Sequence, residues 1–201
     1  MSMSVLEVLF YLILSYLLGA IPFGLLTGKL MGKDIRRSGS GNIGATNTFR
    51  TAGPVAGIIT LLLDALKGAL PVLLFPALLV YDGVSPENLA VMVGVSAFIG
   101  HVWPVFLRFR GGKGVATALG VLLALAPYAV LTAALLSVII ILLTRIVSLG
   151  SLMGIIIFLV SYTFFYSDPW IFAGAFFISL VIIIRHRGNI QRLMKGTENR
   201  L

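Results

Sequence analysis

The stretch VATALGVLLALAPYAVLTAALLSVIIILLT, residues 115–144, decides how many helices the chain forms. It is apolar almost throughout, but Pro127 interrupts it. A proline lacks a backbone N–H and disfavours helical dihedrals in the residue before it, here Ala126. We therefore predict two helices. The first, Gly114–Ala126, is too short to cross a hydrocarbon core of about 30 Å at about 1.5 Å per residue.

The composition predicts a membrane setting for the whole chain. Of 201 residues, 59% are hydrophobic and 11% are charged, and the mean hydropathy is +1.06, far from the mix of a soluble domain. Five further apolar runs accompany the first: Val5–Leu30, Ala52–Val80, Leu89–Leu107, Ser148–Tyr166 and Trp170–Ile184. We expect one all-α integral membrane domain, residues 1–201, with seven transmembrane helices, one of them short.

The positions of the charges predict how the chain is inserted. Fifteen lysines and arginines against seven acids give a net charge of +8, and most cations cluster within residues 29–50, 108–113 and 185–200. Cationic loops are retained in the cytoplasm. With seven spans, the N-terminus then lies outside and the C-terminus lies in the cytoplasm. Membrane topology thus explains the positive charge, and no nucleic-acid partner is expected.

The first polar segment is SGSGNIGATNTFR, Ser38–Arg50. Its glycines allow backbone N–H groups to approach an anion closely, and Asn42, Thr46, Asn47 and Arg50 supply side-chain donors. A flexible Gly/Ser/Asn linker is the alternative interpretation. The density of polar side chains favours a binding site.

The second polar segment is GHVWPVFLRFRGGKGVAT, Gly100–Thr117. It places Gly111–Gly114, with Lys113, directly before a predicted helix, where backbone amides and the helix dipole favour an anion. The segment does not match a nucleotide-binding P-loop, because Gly114 stands where Ser or Thr would bind magnesium. We predict an anion cradle without nucleotide hydrolysis.

The third polar segment is RHRGNIQRLMKGTENR, Arg185–Arg200. If a helix continues here, His186 and Asn189 share one face at i, i+3 spacing. Most of the arginines are explained as anchors to acidic lipid. For His186 and Asn189 the sequence alone leaves a functional role and a structural role equally open.

Two charges fall inside a predicted span. Asp64 and Lys67 lie three residues apart in the second span, where ionisable groups are costly and usually pair or mark function. We predict a structural ion pair. The glycine pairs in GPVAG, Gly53–Gly57, and GSLMG, Gly150–Gly154, predict close helix contacts. Two histidines and few carboxylates give no metal site, and no cofactor is expected.

The three polar segments closely resemble the signature motifs of the bacterial acyl-phosphate:glycerol-3-phosphate acyltransferases, the PlsY family. The matching stretches are GSGNIGATNTFR, GHVWPVFLRFRGGKGVAT and RHRGNIQRLMKGTE. The resemblance implies transfer of a fatty acyl group from acyl phosphate to the 1-hydroxyl of glycerol 3-phosphate, which forms lysophosphatidic acid and phosphate in phospholipid biosynthesis. It also implies a multi-pass protein of the cell inner membrane whose active site faces the cytoplasm. The oligomeric state is open at this point, but a site built within one helical bundle requires no obligate protein partner, so we expect a monomer.

The resemblance also implies roles for individual residues. The catalytic residues would be Ser40, Arg50, Lys113, His186 and Asn189. Glu198 would be structural, like Asp64 and Lys67. The predicted substrate contacts are Asn42, Gly44, Thr46, Asn47, His101, Gly111, Gly112, Gly114, Thr117 and Arg192.

The identity of the general base stays open at this point. No Ser–His–Asp order and no paired carboxylates are present, so either His186 or a phosphate oxygen of a substrate would take the proton. Neither histidine is followed five residues later by Asp, so the HxxxxD pattern of acyltransferases with soluble donors is missing. A transporter for a phosphorylated solute and a lipid-binding scaffold are the rival classes, and no inverted repeat favours transport.

Overall fold

A computed structural model describes residues 5–78 and 84–200 of the protein, and every regular element in these residues is helical. The chain divides into two compact units at Leu125 and Ala126. The first unit contains α1 (Val5–Ala20), α2 (Phe23–Leu30), α3 (Ala45–Ala52), α4 (Pro54–Leu78), α5 (Pro86–Val102), a 3-10 turn (Val105–Leu107) and α6 (Val115–Leu125). The second contains α7 (Pro127–Thr144), α8 (Val147–Phe165), α9 (Pro169–Arg185) and α10 (Arg187–Met194).

Helix α4 is the centre of the first unit and packs against α2, α3, α5 and α6. Small residues let the backbones approach, as is common between membrane helices. A methyl group on Gly120 of α6 would collide with the carbonyl of Ala65 in α4, and one on Gly68 of α4 would collide with the carbonyl of Thr117. The α4–α6 contact is therefore made backbone to backbone.

The proline break in the stretch 115–144 lies where the sequence predicts it. Helix α6 has 11 residues, Ala126 follows it in a non-helical conformation, and α7 begins at Pro127. At about 1.5 Å per residue, α6 is only about 16 Å long. The predicted short helix is confirmed, one residue shorter at each end than expected.

The second unit is built on the contact between α7 and α8, with α9 packed on α8 and α10 following α9. A methyl group on Gly150 or Gly154 of α8 would meet Ser137 of α7. In the first unit, a methyl group on Gly57 of α4 would meet Phe49 of α3. The close helix contacts predicted from GSLMG are thus confirmed, whereas in GPVAG only Gly57 makes one, because nothing lies within 4 Å of a methyl group on Gly53.

The described residues contain five helical segments that are long and apolar enough to cross a membrane, and the pair α9–α10, bent by 58°, makes a sixth. Helix α6 is the shorter apolar helix beside them. The predicted all-helical membrane architecture is confirmed. The last two residues of the predicted span 52–80 lie outside the described residues, and the sidedness of the termini stays a prediction.

Candidate active site

Asn47 orders the first polar segment. Its side chain is 3% exposed, and its amide nitrogen donates to the backbone carbonyls of Ile35, Ser38 and Asn42 at 2.8, 3.2 and 2.9 Å. The amide oxygen accepts from the backbone N–H of Ser40 at 2.8 Å. These bonds use the side chain to fix the path of the loop. A direct contact between Asn47 and substrate stays a prediction.

Ser40 lies at an exposed position of this loop. The glycines on either side, Gly39 and Gly41, have φ angles of +60° and +68°, which residues with a Cβ rarely adopt. Asn42 then accepts a hydrogen bond from the backbone N–H of Gly44 at 2.9 Å, which closes the turn before α3. The segment is therefore an ordered loop, and the flexible-linker interpretation does not describe it.

The second polar segment folds back onto the end of α5. The backbone N–H groups of Gly111 and Gly112 donate to the carbonyls of Val102 and His101, each at 3.2 Å. Methyl groups on these glycines would collide with the His101 residue itself, with its carbonyl at Gly111 and with its ring at Gly112. The loop can lie this close to α5 only because both residues are glycine.

Lys113 follows this contact and precedes α6. It is half-buried, and the next residue, Gly114, has a φ angle of +88°. A methyl group on Gly114 would also collide with the ring of Phe98. Helix α6 begins at the next residue, Val115, so Lys113 stands at a helix amino end, as an anion cradle requires.

Arg36 and Arg110 join the two polar segments of the first unit. The Nη2 atom of Arg36 donates to the backbone carbonyl of Arg110 at 2.7 Å. Next to this bond lies a cavity of about 310 Å³ lined by Arg36, Ser40, Gly41, Asn42, Ile43, Arg110 and Gly111. The structure thereby brings three of the predicted site residues, Ser40, Asn42 and Gly111, around one cationic cavity.

The two arginines also line a second cavity. Its volume is about 410 Å³, and its other lining residues are Phe106, Leu107 and Arg108. Arg36 and Arg110 are therefore candidate site residues, although their positions in the sequence indicate only membrane topology. The available signal was that each lies within four residues of a predicted site position, Ser40 or Lys113.

The other predicted residues of the first unit lie outside the lining of the 310 Å³ cavity. Arg50 is exposed near the end of α3, Thr46 lies half-buried in the same helix, and Thr117 of α6 is fully buried. Asp64 and Lys67 form the predicted ion pair at 2.7 Å, and their side chains are 2% and 4% exposed. Substrate contact by Arg50, Thr46 and Thr117 stays a prediction.

His186 in the second unit lies at the bend between α9 and α10 and is 2% exposed. Its Nδ1 atom is 2.9 Å from the backbone carbonyl of Ile182. A carbonyl only accepts, so Nδ1 carries the hydrogen of this bond. In the neutral ring, Nε2 then holds the lone pair, as a proton acceptor requires.

The carboxylate of Glu198 accepts hydrogen bonds from the remaining predicted polar side chains of the third segment. Its Oε1 atom accepts from Ser148 of α8 at 2.8 Å and from Asn189 of α10, and its Oε2 atom accepts from Nε of Arg192 at 2.7 Å. Burial raises the pKa of Glu198, but these three hydrogen bonds and the charge of Arg192 outweigh it and hold the pKa below its ordinary value. The contacts support a structural role for Glu198.

The family comparison agrees with this geometry. The family model described as glycerol-3-phosphate acyltransferase matches residues 9–196. The chain belongs to the glycerol-3-phosphate acyltransferase family. The resemblance inferred from the three polar segments is confirmed, and the protein is an acyltransferase of the membrane.

Relatives in this family span nearly the whole chain. The glycerol-3-phosphate acyltransferase of Trichlorobacter lovleyi is 50% identical over 192 residues, which cover 96% of each protein. That of Geobacter sulfurreducens is 46% identical over 186 residues, covering 92% of this chain and 93% of the relative. The glycerol-3-phosphate acyltransferase family is therefore matched along both compact units.

Crystal structures of PlsY, an integral membrane glycerol 3-phosphate acyltransferase, have the same fold. The glycerol 3-phosphate form is 40% identical, with a TM-score of 0.89 over 97% of this chain and 96% of PlsY. The lysophosphatidic acid form is 39% identical, with a TM-score of 0.87 over 97% of this chain and 95% of PlsY. The similarity covers the whole acyltransferase, including all three polar segments.

Proposed function

We propose that the protein transfers a fatty acyl group from acyl phosphate to the 1-hydroxyl of glycerol 3-phosphate, in phospholipid biosynthesis. The products are lysophosphatidic acid and inorganic phosphate. The observation that carries the proposal is the junction of the Ser40 loop with the glycine-rich loop, which meet through Arg36 and Arg110 around one cationic cavity. Crystal forms of a relative with glycerol 3-phosphate and with lysophosphatidic acid support the same acceptor and product.

The proposed reaction needs no covalent enzyme intermediate. Acyl phosphate is a mixed anhydride, and its phosphate is a good leaving group. The 1-oxygen of glycerol 3-phosphate forms a bond to the acyl carbon, the bond from that carbon to the bridging phosphate oxygen breaks, and the hydroxyl proton passes to a base. Both reactants are anions, so the main task of the protein is to hold two repelling phosphates close together.

The first unit supplies donors suited to that task. We assign the phosphate of glycerol 3-phosphate to the loop Gly111–Gly114 with Lys113, because a helix amino end and a cation both favour a bound anion. Ser40 lies between two glycines with positive φ. We assign Ser40 and Arg50 to contacts with the reacting groups. From the family motifs we also propose His186 and Asn189 as catalytic residues, with Nε2 of His186 as the proton acceptor.

The donor can be identified directly. The purified protein is given glycerol 3-phosphate with palmitoyl phosphate, palmitoyl coenzyme A or palmitoyl acyl carrier protein, and lysophosphatidic acid and free phosphate are measured. We expect equal amounts of both products with palmitoyl phosphate and neither product with the two thioesters. Product formation from a thioester alone would contradict the proposal, and uptake of glycerol 3-phosphate into vesicles without product would indicate a transporter.

We further propose that the protein is a monomer of the cell inner membrane, with its N-terminus outside and its C-terminus and active site in the cytoplasm. The cationic segments 29–50, 108–113 and 185–200 support this orientation. Both proposed substrates carry phosphate groups, which cross a bilayer poorly.

A further inference from the structure

An ionic cluster is buried in the first unit, close to the glycine-rich loop. The Nζ atom of Lys67 lies 2.7 Å from Asp64 Oδ1 and also donates to the backbone carbonyl of Ile21 at 2.7 Å, where α1 ends. Charges buried at this depth are costly even when paired. The bond to Ile21 gives Lys67 a role in packing.

The Asp64 carboxylate also faces a second partner, His101. The Nδ1 atom of His101 lies 3.7 Å from Asp64 Oδ1, and the histidine side chain is 3% exposed. His101 belongs to the last turn of α5, the turn onto which the glycine-rich loop folds back. The ring therefore connects the buried carboxylate of α4 with this loop.

The opposite edge of the His101 ring meets the loop. An added methyl group on Gly112 would collide with Nε2 of the ring, so this edge lies against the Gly112 backbone. The backbone N–H of Gly112 also donates to the His101 carbonyl at 3.2 Å. Lys113 is the next residue. A rotation of the ring would displace Gly112 and with it the amides and the lysine that follow.

We propose that Asp64 and His101 are positioning residues, which set the place of Gly112 and Lys113 for the phosphate of glycerol 3-phosphate. The charge of Asp64 acts on the Nδ1 edge of the ring across 3.7 Å, which is longer than a hydrogen bond, and the Nε2 edge of the ring packs against Gly112. Because one edge of its ring faces Asp64 and the other lies against Gly112, His101 acts through the loop, in place of the direct substrate contact that the sequence predicts. The inference rests on the proposed role of the loop in binding glycerol 3-phosphate.

The test compares Asp64→Asn, which keeps the shape of the side chain and removes its charge, with His101→Ala, Gly112→Ala and the double variant His101→Ala/Gly112→Ala. Steady-state kinetics give kcat and the KM values for glycerol 3-phosphate and for palmitoyl phosphate. Stabilisation of the detergent-solubilised protein by glycerol 3-phosphate alone gives a binding readout that needs no donor.

We expect each single variant to raise the KM for glycerol 3-phosphate roughly tenfold, since a displacement of about 1 Å can cost up to about 100-fold in rate. The KM for palmitoyl phosphate should change less than about twofold. The double variant should bind glycerol 3-phosphate better than Gly112→Ala does, because removal of the ring makes room for the added methyl group.

Thr60→Val is the matched control. Thr60 is fully buried one turn before Asp64 in α4, and its hydroxyl bonds to that of Thr27 in α2. The Thr60→Val variant should have a lower melting temperature and an unchanged KM for glycerol 3-phosphate. The positioning role is wrong if Gly112→Ala leaves the KM for glycerol 3-phosphate unchanged. It is also wrong if Asp64→Asn and His101→Ala behave as Thr60→Val does, so that their activity falls only in proportion to the amount of folded protein.

The two proposals fail in different ways. If glycerol 3-phosphate does not stabilise the unmodified protein, the proposed function fails. If it stabilises the unmodified protein and all variants equally, only the positioning role fails.

Discussion

Glu198 shows how one carboxylate can hold the third polar segment together. It accepts hydrogen bonds from Ser148, Asn189 and Arg192, and its pKa in the folded protein is lower than its ordinary value of 4.5. A lowered pKa means that the folded state favours the charged form. The resulting stability is complete above about pH 4.5 and is lost as the pH falls through the folded pKa.

We predict that Glu198→Gln lowers the free energy of unfolding by about 1–3 kcal/mol at neutral pH, because the Gln amide has only one acceptor oxygen and cannot accept both the bond from Arg192 at Oε2 and the bonds from Ser148 and Asn189 at Oε1. The difference between variant and unmodified protein should shrink as the pH is lowered below about 4.5. Thermal unfolding in detergent as a function of pH measures it. Glu87→Gln, an exposed acid in the first turn of α5, is the control and should change stability by less than about 1 kcal/mol. A pH-independent difference for Glu198→Gln would contradict the prediction.

His186→Asn isolates the proposed proton acceptor. The Asn amide can still donate to the Ile182 carbonyl where Nδ1 does now, but it has no counterpart of Nε2. We expect turnover at saturating substrates to fall about 100-fold or more, the usual contribution of a general base, with an unchanged melting temperature. Near-normal turnover would instead assign the proton to a phosphate oxygen of a substrate.

The residue types of the site were predictable from sequence, but the direction of each side chain was not. Spacing and glycine content predict the Ser40 and Lys113 loops as candidate anion sites, because such a site needs that backbone chemistry. Asn47 was predicted to donate to substrate, but its side-chain amide donates to backbone carbonyls of its own loop. Arg36 contacts Arg110, 74 positions away, a contact that depends on the tertiary fold.

At the level of helices, α4 and α6 depend on glycine for their contact. We predict that Gly120→Ala lowers the free energy of unfolding by about 1–3 kcal/mol, because the new methyl group would overlap the Ala65 carbonyl and force the helices apart. The apparent melting temperature in detergent measures this change.

Gly188→Ala is the control for that substitution. Gly188 is also helical, but an added methyl group would have only Arg192 Nη1 nearby, at 3.6 Å. Alanine is a better helix former than glycine, so the control should be neutral or slightly stabilising. Equal destabilisation by both substitutions would show that helix propensity, and not the contact with Ala65, is responsible.

The helix break at Pro127 was predicted from the sequence, but the breaks at Pro22 and at His186 were not. Pro127 separates α6 from α7 as expected, since it restricts Ala126. Pro22 likewise separates α1 from α2, within the apolar run Val5–Leu30 that is continuous in hydropathy. The 58° bend at His186 carries no proline, and its direction depends on contacts that are distant in sequence.

For the whole molecule, the predicted orientation can be tested by labelling, because the chain contains no cysteine. Single cysteines are introduced at the exposed positions Lys33, Ser167 and Thr197. In membrane vesicles of known sidedness, a membrane-impermeant maleimide should reach Ser167→Cys only from the outside. It should reach Lys33→Cys and Thr197→Cys only from the cytoplasmic side.

The control is labelling after the membrane is dissolved, when all three cysteines should react. Reaction of Thr197→Cys from the outer side would place the C-terminus outside. With the N-terminus also outside, the number of spans would be even. The C-terminal segment with His186 would then be separated by the bilayer from the Lys113 loop, and the proposed reaction would be wrong.

The bonds made by Asn47 have one further consequence. They turn the oxygen ends of three peptide groups, at Ile35, Ser38 and Asn42, toward a neutral amide in the protein interior. Those oxygens carry partial negative charge and would repel a phosphate if they pointed into the cavity. Exchanging Asn47 for Asp would remove the donor, release these oxygens and add one negative charge, and each of these changes would weaken the attraction of the cationic loop for a phosphate.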